Sequence, residues 1–172
     1  MAEKLAKSLI GMMGGLLSLS FGKQLIVFII SMLPILELRG GLIAASLLKL
    51  PPLESYIIAI VGNVIPVPFI LLLINKILRA MEKSRFKLFN GIHSFLHKKI
   101  MKNKDSIEKY GFWGLVIFVG IPLPGTGAWT GAIIAAFLDM DRKKAFIGIL
   151  LGMLMASIIM MIISFGLISK VA

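Results

Sequence analysis

The chain has 172 residues, 58% of them hydrophobic and 16% charged, with a mean hydropathy of +0.97. That is more apolar sequence than a soluble domain can use, so residues 1–172 read as a single membrane domain. The net charge of +11 concentrates between apolar blocks, which favours a membrane surface over nucleic acid, and the lack of cysteine excludes disulfides and thiolate metal sites.

Residues 1–22 read as an N-terminal interfacial helix. Leu5, Leu9, Met12, Leu16 and Leu19 recur at helical spacing, while Gly11, Gly14, Gly15 and Gly22 weaken it. The apolar run is short for a crossing. Lys4 and Lys7 precede it as in a signal peptide, but without a clear small-x-small site it is expected to stay on the chain.

A first unit covers 23–78. Its apolar pieces 24–36 and 41–50 are each well below the ~20 residues needed to cross a bilayer. Between them lie Glu37 and Arg39, with Pro34 on one side and Gly40–Gly41 on the other. These residues predict a helix break on both flanks of the charges. A re-entrant helical hairpin is expected, entering and leaving on one side; a kinked span is the alternative. Pro51–Pro52 stops the second arm. Leu53–Leu78 is long enough to cross, and Asn63, Pro66 and Pro68 predict a broken transmembrane helix.

Residues 79–110 change character. Lys and Arg dominate, and Phe86, Phe89, Leu96 and Ile100 recur every three or four residues. This predicts a basic amphipathic helix on the membrane surface, with anionic lipid as its partner. His93 and His97 lie there, and a wetted face explains them better than a metal site. A second unit, 111–170, follows: an apolar segment broken at GIPLPGTGAWTGA, a polar turn at 139–144, and a second span over 145–168.

The halves align without a gap at a shift of 90 residues. Leu33-Pro34 falls on Leu123-Pro124, Gly41 on Gly131 and Gly62 on Gly152. Each unit is a hairpin, which returns, plus one span, which crosses. Two copies therefore form inverted-topology repeats, an all-α plan used by secondary transporters. The Lys/Arg bias puts 79–110 and 139–144 in the cytoplasm and the first hairpin on the outside.

The interrupted segments point to the site. Charge at membrane depth is costly and suggests function, so Glu37 and Arg39 come first, as proton carrier and anion holder or as a structural brace. Gly40 and Gly41 belong to the same segment. Opposite them, Pro124, Gly125, Thr126 and Gly127 form a turn that opens a helix and offers N–H groups to an anion, or simply a tight turn. Trp129, which takes the place of Arg39, and Thr130 follow it. Asn63 is polar within a span and suits substrate binding or interhelical bonding. No nucleophile–base pattern appears, so an enzyme is not expected; neither is a cofactor or a metal.

The stretches LPILELRGGLIAASLL and VGIPLPGTGAWTGAIIAAFLDMDRKKAF resemble the bacterial and archaeal small multidrug export proteins over roughly residues 20–168. That family looks distantly related to the DedA and SNARE-associated (VTT) membrane proteins. The resemblance implies paired re-entrant hairpins and a role in transport; for DedA relatives it implies lipid-carrier recycling or proton-linked transport. DedA proteins carry Arg and Pro in the second hairpin, whereas this chain has Pro122 and Pro124 but Trp129 and no Arg. The expected function is an ion- or proton-coupled transporter of a small amphiphilic or anionic substrate, in the prokaryotic cytoplasmic membrane and multi-pass. The alternatives are a flippase or scramblase for anionic, polyprenyl-phosphate-like headgroups and a non-transporting scaffold. A homodimer is compatible with the sequence.

Overall fold

The computed structural model describes residues 2–82, 109–123 and 125–167, and every regular element among them is helical. In order these are α1 (Ala2–Met12), a 3-10 turn (Gly14–Ser18), α2 (Gly22–Met32), α3 (Glu37–Leu47), α4 (Pro52–Val64), α5 (Pro66–Glu82), α6 (Lys109–Gly120), α7 (Ala128–Phe137) and α8 (Arg142–Met161), which runs into a π turn (Ile162–Leu167). The amphipathic helix expected over 79–110 lies almost wholly outside the described residues.

The turn at 33–36 folds α3 back on α2. Pro34 accounts for that break, since its ring cannot continue a helix. The double glycine does not break anything: Gly40 and Gly41 lie inside α3. Helical glycine costs about 1 kcal/mol against alanine. Here close packing requires it, because a Cβ on Gly41 would overlap the Ser31 hydroxyl of α2 and one on Gly40 would overlap the Leu36 side chain.

Among the described residues, two stretches are long and apolar enough to cross a membrane. They are Pro52–Ile74, 23 residues, and Arg142–Gly166, 25 residues. The break expected at Pro66 is only a joint. Ile65 keeps helical angles (φ −53°, ψ −45°), and Pro66 opens α5, where its missing N–H costs nothing. Each long stretch reaches the first helix of its neighbouring pair at backbone distance. A Cβ on Gly62 would lie 2.8 Å from the Phe28 carbonyl, and one on Gly152 would lie 2.7 Å from the Val116 carbonyl.

The apolar core has two parts. Ile26, Val27 and Ile30 of α2 pack with Leu42 and Ala44 of α3, Ala59 of α4 and Met160 of α8. Leu115 and Val119 of α6 pack with Ala132 and Ile134 of α7, Val67 of α5 and Ile149 of α8. Both long helical stretches thus contribute to both cores.

α3 and α7 end in the same way. Lys49 (φ 56°) and Asp139 (φ 49°) take left-handed backbone. Leu50 N–H donates to Ala45 O, and Met140 N–H to Ala135 O, both at 3.0 Å. Lys49 N–H donates to Ser46 O and Asp139 N–H to Ala136 O. Both are Schellman caps, with a non-glycine residue at the left-handed position. At the other end of the protein sequence, α1 carries an exposed Glu3–Lys7 pair at 2.8 Å on its solvent side, while Ala6 is fully buried.

Candidate functional site

A broken helix leaves amide groups unpaired where it restarts and carbonyls unpaired where it stops. In apolar surroundings these must find partners within the protein. The interruption between α6 and α7 is such a place. Gly127, the residue before α7, has φ 136° and supplies no side-chain cap. The carbonyls of Ile121 and Leu123 face the other end of the gap.

Glu37 and Arg39 fill these two needs from α3. The Ala128 N–H donates to Glu37 Oε2 at 3.2 Å and the Trp129 N–H to Oε1 at 3.0 Å. The carboxylate therefore caps α7 from another helix, where the helix dipole favours negative charge. Gly127 makes room for it, since any Cβ there would overlap the Glu37 carboxylate. Arg39 Nη2 donates to the Thr126 carbonyl at 3.0 Å, to Thr126 Oγ1 at 3.1 Å and to the Ile121 carbonyl at 3.4 Å; Nη1 donates to the Leu123 carbonyl. A guanidinium suits this role because its five donors form a fixed fork. Thr126 Oγ1 also lies 2.8 Å from both the Ile121 and Leu123 carbonyls, to either of which its single proton donates.

The first turn of α3 directs the two charged side chains apart. Glu37 is buried and has left-handed backbone (φ 51°), uncommon for a residue with a Cβ. Arg39 is half-buried and within electrostatic reach of the carboxylate. A reciprocal bond runs the other way: Trp129 Nε1–H donates to the Met32 carbonyl, at the end of α2, at 3.2 Å.

A small cavity lies beside this junction, lined by Glu37, Arg39, Asn63, Gly127, Ala128 and Met153 among others. Its volume of about 10 Å³ leaves room for one water molecule. Asn63 is 1% exposed; its Nδ2 donates to the Met153 sulfur at 3.2 Å, and its Oδ1 has no partner among the described residues.

The structure thus brings Glu37, Arg39, Asn63 and Gly127 to one cavity, with Thr126 and Trp129 bonded to the two charged side chains. Gly40 and Gly41 serve packing within α3. Thr130 is buried in α7 and Gly125 is an exposed turn residue with φ 90°. Pro124 lies outside the described residues. The amides that open α7 are taken by the Glu37 carboxylate of the same chain. Sequence reading missed Met32, Ile121 and Leu123, which act through carbonyls and have no side-chain signature. Met153 was detectable, since it stands 90 residues after Asn63.

A family model described as "Putative small multi-drug export protein" matches residues 37–159. The match begins at Glu37 and includes Arg39, Asn63 and the whole 121–127 turn. No curated protein and no solved structure matches the chain.

Proposed function

The chain belongs to the small multi-drug export family of membrane proteins, and we propose from that premise that it is a transporter whose moving part is the junction of its two helix pairs. The observation that carries this is the double contact from α3: Glu37 on the amides that open α7 and Arg39 on the carbonyls before it. Opposite charges hold the two ends of one helix break. Loading a proton on Glu37, or an anionic group on Arg39, removes one of these contacts and frees the break to move.

In this reading α2–α3 and α6–α7 are re-entrant hairpins, and α4–α5 and α8 are the crossings. Three features support inverted repeats. Pro52 and Arg142 start the long stretches 90 residues apart, the Schellman caps at Lys49 and Asp139 repeat at the same interval, and Gly62 and Gly152 each meet a carbonyl on the first helix of the neighbouring pair. The protein then spans a prokaryotic cytoplasmic membrane several times, with anionic lipid on the 79–110 segment. Its substrate is small and amphiphilic or anionic. A lipid headgroup of the kind handled by DedA-type proteins falls in that class and would make the protein a flippase.

A second reading is favoured by the small size of the cavity: Glu37 and Arg39 are braces and nothing passes between them. Transport in proteoliposomes by Glu37→Gln, Arg39→Gln and the double variant separates the two, with melting measured alongside. A brace predicts that the double variant, which leaves no lone buried charge, recovers relative to the single ones. A transporter predicts that the double variant stays inactive however well it folds.

A further inference from the structure

We propose that Asn63 is the positioning residue for the protonated form of Glu37: its Oδ1 accepts, across one water in the cavity, the hydrogen bond that the carboxylic acid donates. This rests on the reading of Glu37 as the group loaded during transport.

The starting point is an acceptor without a donor. Asn63 is 1% exposed, and its Oδ1 has no hydrogen-bond partner among the described residues. Leaving such a group unpaired is costly, so its persistence needs a cause. The amide cannot resolve this by turning over. Nδ2 is held on the Met153 sulfur at 3.2 Å, and reversal would set oxygen against sulfur, two acceptors with no proton between them.

The cavity supplies the cause. It has room for one water, and Asn63 and Glu37 both line it. Gly127 and Ala128 line it too, and Oε2, which the Ala128 N–H reaches, is the carboxylate oxygen nearer to both. While Glu37 is ionised it is acceptor-only, and the water can donate to Oε2 and to Asn63 Oδ1 at once. When a hydronium ion delivers a proton to Oε2, one O–H bond forms on the carboxylate, one breaks in the hydronium, and water is left. Oε2 is now a donor and a poor acceptor, so the 3.2 Å bond from Ala128 is given up. The new O–H donates to the water, which still donates to Asn63. With the carboxylate the water must donate both its protons and the two bonds compete; with the acid it accepts from Oε2 and donates to Asn63 Oδ1, and the two bonds reinforce each other, so Asn63 favours the neutral acid.

Among the described residues that line the cavity, the others do not take this role. Arg39, on the same helix, is the other ionisable residue lining the cavity, and it is a donor. From α7 come the Ala128 and Trp129 amides, which are donors. α6 contributes Val119, and α8 contributes Met153 and Ala156, none of them ionisable.

The test reads protonation and not transport, so failure of this inference and failure of the transporter reading are distinguishable. The infrared carboxylic-acid band of Glu37 is followed against pH in the purified full chain, and Glu37→Gln identifies the band. In Asn63→Ala, which removes the acceptor and leaves the cavity wet, the pH at which the band appears is expected to move about one unit to the acid side, a tenfold loss of proton affinity. Asn63→Ser, which restores a small acceptor, is expected to recover part of it. An unchanged pH, a move to the alkaline side, or no Glu37 band at any pH that the wild type survives overturns the proposal. The wild type tests it without any variant: its band belongs at the lower frequency of a hydrogen-bonded acid, and a free-acid band overturns it.

Discussion

Gly127 and Glu37 occupy the same small space: a single methyl group on the glycine would fall on the carboxylate. The carboxylate is itself tied to the next two amides. Neither partner can move without releasing the start of α7.

Gly127→Ala should therefore do two kinds of damage. It strains a φ of 136° and expels Glu37 from α7. Together these should cost about 2–4 kcal/mol of stability. Gly125→Ala is the control, because Gly125 has positive φ (90°) on an exposed turn. Thermal melts of the two variants should differ clearly. Equal melting would mean that the carboxylate contact contributes nothing.

Arg39→Lys keeps the charge and loses the fork. Lysine cannot serve the carbonyls of Ile121, Leu123 and Thr126 together. The expected loss is about 1–3 kcal/mol, from acceptors left unpaired in an apolar site. Arg39→Gln should lose at least as much. A lysine variant that melts with the wild type would show that charge alone holds the turn.

Lys49→Gly and Asp139→Gly should each stabilise the protein by about 0.5–1 kcal/mol. Both residues hold left-handed backbone that glycine takes without steric cost. Asp139→Gly is expected to leave α8 capped, because its N-cap is Asp141, which accepts from the Lys144 N–H at 2.9 Å. Melting of the single variants reads the effect. A drop in either would mean that the side chain there makes a contact outweighing the strain.

The proposed inverted arrangement predicts opposite sides for equivalent turns. Cysteine introduced at Lys49 should be labelled from outside, and at Lys143 from the cytoplasm, in a chain that has no other cysteine. Labelling of both from one side would exclude inverted topology.

The sequence made Glu37 and Arg39 conspicuous because charge in an apolar stretch has few explanations. It could not say what they touch. Their partners are main-chain amides and carbonyls, which every residue has and which only the fold brings within reach. Gly40–Gly41 misled for a related reason. Glycine signals a break in isolation, but it also permits a close helix contact, and only the position of Ser31 decides between them. Pro34 and the 121–127 turn were legible because proline and clustered glycines restrict the chain locally. Asn63 was visible as a polar residue in a span, but its orphaned oxygen depends on Met153, 90 positions away.

Two contacts join residues that are 90 positions apart, one interval of the proposed repeat: Glu37 with Gly127, and Asn63 with Met153. On a two-fold axis a side chain meets its own counterpart. A carboxylate placed there by both halves would confront a second carboxylate, and two asparagines would compete for one small volume. A chain made of two joined copies, as proposed here, escapes this constraint, since each half can carry a different member of the pair. Glycine opposite glutamate and methionine opposite asparagine are what such freedom permits, and a dimer of identical single units could not hold either combination.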